Sequence, residues 1–305
     1  MIVTTPGEFL AAVKRCGPVI SSAVIPASVF MIEPRDFRVS SATAGDNQYM
    51  DLAGNVDSER ALAQHRSLVK LIQSLALEVK VFPGDPSQPD GVFLNNAFAT
   101  VPGRLVIGRM ATEERQRETR RQDVREYFVR KKNYDLADLS GENLVAELTG
   151  AMVLDRGRRI GYCGMTERVD QAGCAAMHAA FLNRLTFSFD LNPAEYHTNV
   201  VLSVLAGRAC VLVPGAFADP EVPAAIAQVY TGRTLYLSEA EKRSYSGNCI
   251  ALTGHDLLFS QAGLDGLSLP NRHQLGNWGF NLHAIELDEL EKAGGSLRCL
   301  IAELF

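Results

Sequence analysis

Three residue types that together perform nucleophilic chemistry stand far apart in this 305-residue chain. Cys299 closes the segment GGSLRC, His197 stands in AEYHTNVV, and Glu147 stands in VAELTG. A thiol must be ionised before it attacks, an imidazole can move the proton, and a carboxylate can balance the charge that develops. Further polar residues precede other apolar runs: Asp90, Asn95 and Asn96 in PDGVFLNN, Asn199 two places after His197, and Asn248 at the end of SYSGN. Each has a plain structural reading. A lone cysteine in an apolar strand is most often core, and a lone histidine or glutamate most often makes one ordinary hydrogen bond or faces water. The elements that carry these residues decide between the two.

Those elements repeat. An apolar run, a short polar turn and a second apolar run recur in AFATVPGRLVIGRM (97–110), GAMVLDRGRRIGYCG (150–164), NVVLSVLAGRACVLVP (199–214) and CIALTGHDLLFSQAG (249–263). The turns fall near 102, 156, 206 and 253, roughly fifty residues apart, and each phrase reads as a hairpin. Helix-forming segments lie between them at 112–132, 171–185 and 221–230. A fifth copy is split between the ends of the chain, with SSAVIPASVFMIEP (21–34) and the helical stretch 58–79 in front and CLIAELF behind. Repeats of this period indicate a ring or array. Five units closed by joining the termini predict an α/β fold, a five-bladed α/β propeller with pseudo-fivefold symmetry, formed by one domain over residues 1–305. In such a ring the polar residues ahead of the hairpins meet at one mouth, and Cys299 lies in the core.

Composition narrows the function. The chain is 47% hydrophobic and 21% charged with a net charge of −5, which disfavours a general nucleic-acid binder. No apolar run is long enough to span a membrane, and MIVTTPGEFLAAVKRC lacks the apolar core of a signal peptide. A cytoplasmic protein is expected. The six cysteines show no C-x-x-C spacing, and no Asp-x-His pair of the arginase kind occurs, so neither a metal nor a cofactor is expected.

Taken together, MIEPRDFRVSSATAGDNQYM, PDGVFLNN, ELTGAMVLDR, YHTNVVLSV, SGNCIAL and GGSLRCLIAEL resemble the guanidino-modifying enzymes of the pentein superfamily. That superfamily includes arginine deiminases and dimethylarginine dimethylaminohydrolases, and the likeness is nearest to amidinotransferase-like hydrolases of citrulline utilisation. The resemblance implies Cys299 as nucleophile, His197 as acid and base, and Glu147 as catalytic carboxylate. It implies that Arg115 and Arg168 hold a substrate α-carboxylate, and that Asn47 reaches the pocket from a lid-like segment. Asp90, Asn95, Asn96 and Asn199 complete the expected substrate contacts.

Two positions depart from the resemblance: Asn96 stands where related enzymes carry a guanidinium-gripping carboxylate, and Asn199 stands where arginine deiminases carry aspartate. An amide both donates and accepts hydrogen bonds but does not pair with a cation as a carboxylate does. This suits a ureido group, and the expected reaction is hydrolysis of arginine or citrulline through to ornithine. The alternatives are an arginine or methylarginine deiminase-type hydrolase that stops at citrulline, an amidinotransferase, and a non-catalytic pentein that uses the ring to bind. The expected partner is a small amino-acid substrate, with neither nucleic acid nor membrane, and a homodimer is left open.

Overall fold

Each of the four expected hairpins forms, and each is extended by a third strand. The computed structural model describes residues 1–17, 24–40, 47–52 and 54–305. Phe98–Val101 pairs antiparallel with Arg104–Ile107, which pairs parallel with Asp135–Asp138. The same order recurs in Met152–Asp155, Ile160–Met165 and Leu185–Asp190, then in Leu202–Leu205, Ala209–Leu212 and Thr234–Tyr236. Ile250–Ala251, Asp256–Ser260 and Asn281–Ile285 repeat it again.

The fifth sheet joins the ends of the chain: Ala302–Leu304 lies antiparallel to Ser28–Ile32, which is parallel to Glu78–Phe82. In every unit helical structure separates the second strand from the third, as a parallel crossover requires. The result is an α/β fold of five separate sheets. One sheet gains a fourth strand, Ile2–Val3 beside Leu185–Asp190, which the sequence reading lacked.

The apolar runs explain the burial. All of Ser28–Ile32, Phe98–Val101 and Ala209–Leu212 is buried, because these strands have packed side chains on both faces. The first hairpin turns at Pro102–Gly103, where Gly103 takes φ +72, a conformation that costs glycine little. Helix Ser58–Ser74 begins with an Asp57 cap and buries Ala61, Leu68 and Ile72. Helices Gln171–Ala180 and Glu221–Val229 fall inside two of the expected segments.

The stretch 112–132 differs from expectation. It is four short pieces, Glu113–Gln116, Glu118–Arg120, Gln122–Glu126 and Tyr127–Lys131, the second a 3₁₀ turn and the last a π turn. Arg115 and Glu118 turn into the protein and are buried, and Arg121 leaves helical geometry at ψ 104. Buried ionic partners override the high helix propensity of the segment. Of the lid-like segment, residues 41–46 lie outside the described residues. Among the described residues no helix is long and apolar enough to cross a membrane.

Candidate active site

A short turn precedes one strand of each antiparallel pair, and these turns hold the expected site residues. Leu94–Asn96 holds Asn95 and Asn96, Glu147 is the residue before Leu148–Ala151, and His197 is the residue before Thr198–Val201. Asn248 ends the turn ahead of Ile250–Ala251, and Cys299 lies in the 3₁₀ turn Leu297–Leu300 ahead of Ala302–Leu304. Cys299 is thus buried in a turn rather than in a strand.

Successive turns are bonded to one another. Thr149 Oγ1 donates to the Asn95 carbonyl at 3.0 Å and Thr198 Oγ1 to the Ala151 carbonyl at 2.6 Å. Asn248 Nδ2 donates to the Asn199 carbonyl at 2.9 Å, while Asn248 Oδ1 accepts from the Arg298 amide at 3.0 Å. The fifth segment returns to the first at Gly295, where a Cβ would lie 2.6 Å from the Phe93 ring. Glycine is required there by contact.

A cavity of about 20 Å³ opens beside Cys299, lined by Asn47, Asp90, Phe93, Asn96, Arg115, Arg168, Tyr196, Ala293 and Gly295. Six of the expected site residues therefore share one wall. The volume suits about one water. Asn47 approaches closely: its Nδ2 is 3.4 Å from the Gly294 carbonyl, and a Cβ on Gly294 would come within 2.3 Å of that nitrogen. With φ +79, Gly294 is also in a conformation that disfavours any side chain. The two glycines of GGSLRC let the pocket wall close around the cysteine segment.

Behind this wall lies a buried ionic cluster. Glu147 accepts from the Ala111 amide at 3.1 Å, from Arg168 Nη1 at 3.3 and 3.4 Å, and from His197 Nε2 at 2.9 Å; Arg115 Nη1 lies 3.6 Å away. Burial pushes its acidity down, but the Arg168 charge, the His197 hydrogen bond and the Arg115 charge outweigh it, holding the carboxyl well below the usual range. Glu147 is therefore ionised, and His197 Nε2 carries the proton it donates. His197 Nδ1, which has no partner among the described residues, is the nitrogen left to accept a proton. Burial also lowers the His197 pKa, against the upward pull of Glu147, so the ring rests neutral.

Arg115 is more committed than the sequence reading expects. Its Nε and Nη2 grip Glu118 at 3.0 Å each, and Nη2 also reaches the Phe93 carbonyl at 3.3 Å. Only the Nη1 corner remains for a ligand. Burial pushes the Glu118 pKa up to about 7 despite the Arg115 charge. Glu118 was not foreseen, although its spacing three residues from Arg115 in a helix-forming stretch was a signal for this pairing.

Asn95 and Asn199 stand outside the pocket lining. Both amide ends of Asn95 are buried without a partner among the described residues. Asn199 faces the thiol: its Nδ2 is 3.7 Å from Cys299 Sγ, and Asn248 Nδ2 is 3.6 Å from the same sulfur. Asn248 was visible in SYSGN but was not assigned a role. Tyr196, also missed, packs against His197 with ring centroids 4.6 Å apart and the rings tilted at 44°, and donates to the Gly294 carbonyl at 2.6 Å. Among the described residues no group of three or more His, Cys, Asp or Glu is placed to hold a metal ion.

Residues 33–305 match the family model described as eukaryotic N,N dimethylarginine dimethylhydrolase. An uncharacterized protein of Caenorhabditis elegans, ZK1307.1, is 23% identical over 284 residues, covering 93% of this chain and 96% of its own length. Among solved structures, the fold is similar to the N-terminal domain of ArgZ bound to substrate, described as an arginine dihydrolase from the ornithine-ammonia cycle in Cyanobacteria. That match has a TM-score of 0.78 and 21% identity and covers 91% of this chain and 97% of ArgZ's domain. It is also similar to a dimethylarginine dimethylaminohydrolase adduct, with a TM-score of 0.70 and 17% identity over 92% of this chain and all (100%) of that one. The family match spans nearly the whole chain and includes every turn of the site, so the protein belongs to the N,N dimethylarginine dimethylhydrolase family of the pentein superfamily, hydrolases that act on guanidino C–N bonds.

Proposed function

We propose that the chain is a single catalytic domain over residues 1–305, its five units arranged as the blades of an α/β propeller. Its proposed reaction is the metal-free hydrolysis of arginine or citrulline to ornithine. The shared topology of the five sheets and the bonds between successive turns support the ring. One observation carries the chemistry: the Cys299 sulfur and the Asn96 amide share a pocket whose wall is backed by the Glu147–His197 pair. The arginine dihydrolase description of ArgZ agrees with this reading.

In this mechanism the Cys299 proton passes to His197 Nδ1, and the thiolate adds to the planar guanidino carbon. The imidazolium returns that proton to the departing nitrogen, which leaves as ammonia, and the carbon remains bonded to sulfur. Water then adds, giving its proton to His197, and the C–S bond breaks to restore the thiolate and release a ureido product. Glu147 keeps the Nε2 proton in place and stabilises the imidazolium, as the carboxylate of a catalytic triad does. Arg168, with the Nη1 corner of Arg115, faces the α-carboxylate. A second attack by the Cys299 thiolate on the ureido carbon expels ammonia and leaves the carbonyl bonded to sulfur; a second water then breaks the C–S bond, and the carbamic acid released loses carbon dioxide to give ornithine.

A substrate panel tests this directly. Purified protein is given arginine, citrulline, a methylated arginine and an N-acylated arginine without added acceptor amine, and ammonia, citrulline and ornithine are measured separately. Ornithine and ammonia from arginine or citrulline are expected. Turnover that appears only with an acceptor amine would show amidino transfer, and no turnover of any guanidino or ureido compound would remove the catalytic reading.

A further inference from the structure

The sulfur of Cys299 is held by neutral groups. We propose that Asn248 and Asn199 are catalytic residues, a two-donor amide cradle that holds the Cys299 sulfur as the thiolate that attacks. This rests on the reading of Cys299 as the nucleophile.

The geometry is specific. Asn248 Nδ2 and Asn199 Nδ2 approach Sγ at 3.6 and 3.7 Å, and each Oδ1 lies 3.9 Å from the same atom. Both asparagines are buried and come from two different turns. Asn248 is fixed by its own bonds: one amide proton goes to the Asn199 carbonyl, and Oδ1 accepts from the Arg298 amide. Its second amide proton is the one left for sulfur. The cation nearest in sequence, Arg298, turns away, with Nη2 on Glu303 at 3.1 Å and Nη1 on the Ile301 carbonyl at 3.1 Å.

An amide serves both states of the thiol. Its oxygen accepts from S–H, and its N–H groups donate to S⁻, so ionisation needs no rearrangement of the site. A carboxylate in either place would offer the sulfur only negative charge. Burial raises the Cys299 pKa, while the Ser296 backbone bond, the Asn248 amide, the more distant Arg298 charge and the Asn199 amide pull it down. Neutral donors also leave the thiolate more basic than a paired cation would, and a more basic thiolate is the stronger nucleophile. The cradle acts equally when the substrate is neutral, as a ureido compound is.

The test reads the free enzyme, with no substrate present. In a Cys16→Ser background, which removes the one cysteine that is not buried, the rate of Cys299 alkylation by iodoacetamide is followed against pH by peptide mass analysis. Asn248→Asp and Asn199→Asp keep the side-chain shape while replacing the donor with a negative charge; Asn248→Ala removes the donor without adding charge. Each is expected to move the alkylation midpoint to higher pH, by about one unit for the alanine and more for the aspartates, or roughly tenfold slower alkylation below the midpoint. Thermal melting of the same samples establishes that they are folded. Unmoved midpoints in the folded variants overturn the cradle, even if Cys299→Ser is inactive. Wild-type turnover by Cys299→Ser would instead overturn the nucleophile reading, and the cradle with it.

Discussion

Two ionic clusters, one buried and one partly buried, sit at opposite ends of the strands that follow the site turns, and they are built differently. At the hairpin-turn end, Asp155 accepts from the Arg158 amide at 3.0 Å, from Arg158 Nη1 at 2.8 Å and from Tyr230 Oη at 2.7 Å. Arg158 also donates to the Gly207 carbonyl at 2.6 Å and lies over the Tyr230 ring. Nearby, Arg156 and Arg298 share Glu303, and Arg156 covers the Phe305 ring at 4.2 Å. None of these groups is left with a bare buried atom among the described residues. At the other end, Asn95, Asn96 and His197 supply most of the buried side-chain polar atoms that lack a partner among the described residues. Buried polar atoms are expensive to leave unpaired, so an end that tolerates them is built for something other than stability. The difference separates a clamp from a site.

Substitution at each end should therefore produce different losses. Cys299→Ser is expected to abolish turnover while the melting curve stays near wild type, because a serine hydroxyl without its own activation is a far weaker nucleophile. Assays of ammonia release beside thermal melts decide this; wild-type rates would erase the contrast. Asp155→Ala is the mirror case. It leaves the buried Tyr230 hydroxyl only the Tyr162 hydroxyl at 3.3 Å and unpairs Arg158, a loss of about 3 kcal/mol, and lowers the melting midpoint by several degrees. The folded fraction should keep its kcat. A fall in kcat with no fall in melting midpoint would mean that the hairpin end belongs to the site.

Arg168→Ala removes a guanidinium from the pocket wall. Losing a charge-assisted partner of a desolvated carboxylate typically costs about 2–5 kcal/mol, so KM for arginine should rise by roughly thirtyfold or more. Arg115→Ala should also raise KM, and both changes should lower kcat, because both guanidinium groups stand beside Glu147, Arg168 Nη1 at 3.3 Å and Arg115 Nη1 at 3.6 Å; the Arg115 change also releases Glu118. Steady-state kinetics on both variants separate these roles. An unchanged KM in each would make both arginines structural.

The contrast also explains what could be read in the sequence. The repeats give the strands, and matching places in the repeats give Glu147, His197 and Cys299, because hairpin spacing and apolar alternation are local properties. The five-sheet topology follows from counting. The broken helix of 112–132 could not be read this way, because burial of Arg115 and Glu118 depends on Glu147, Asp90 and Phe93, all distant in sequence. The partners of Asn199 and Asn248 are hidden for the same reason: both meet Cys299 only when the last turn packs against two others. Local pattern names the elements, and tertiary contact decides which atom each polar group faces.

The finest contrast within the site concerns Asn96. Its Oδ1 has no partner among the described residues, and it packs against Gly150 beside His197, where a Cβ would lie 2.4 Å from Asn96 Oδ1 and 2.9 Å from His197 Nε2. An amide here offers a neutral ureido group both a donor and an acceptor, so the product of the first attack can stay for a second. A carboxylate offers only acceptors and a charge that suits a guanidinium. Asn96→Asp should therefore weaken citrulline hydrolysis more than arginine deimination, moving the ratio of their kcat/KM values by about tenfold, the size of one added charge-assisted bond. The added charge should also raise the His197 pKa, so the acid limb of the pH profile should move to higher pH. Product analysis of the variant and the wild type over long incubations measures both effects. Quantitative accumulation of citrulline from arginine by the wild-type protein, with no ornithine, would show that Asn96 does not hold the ureido group for a second attack.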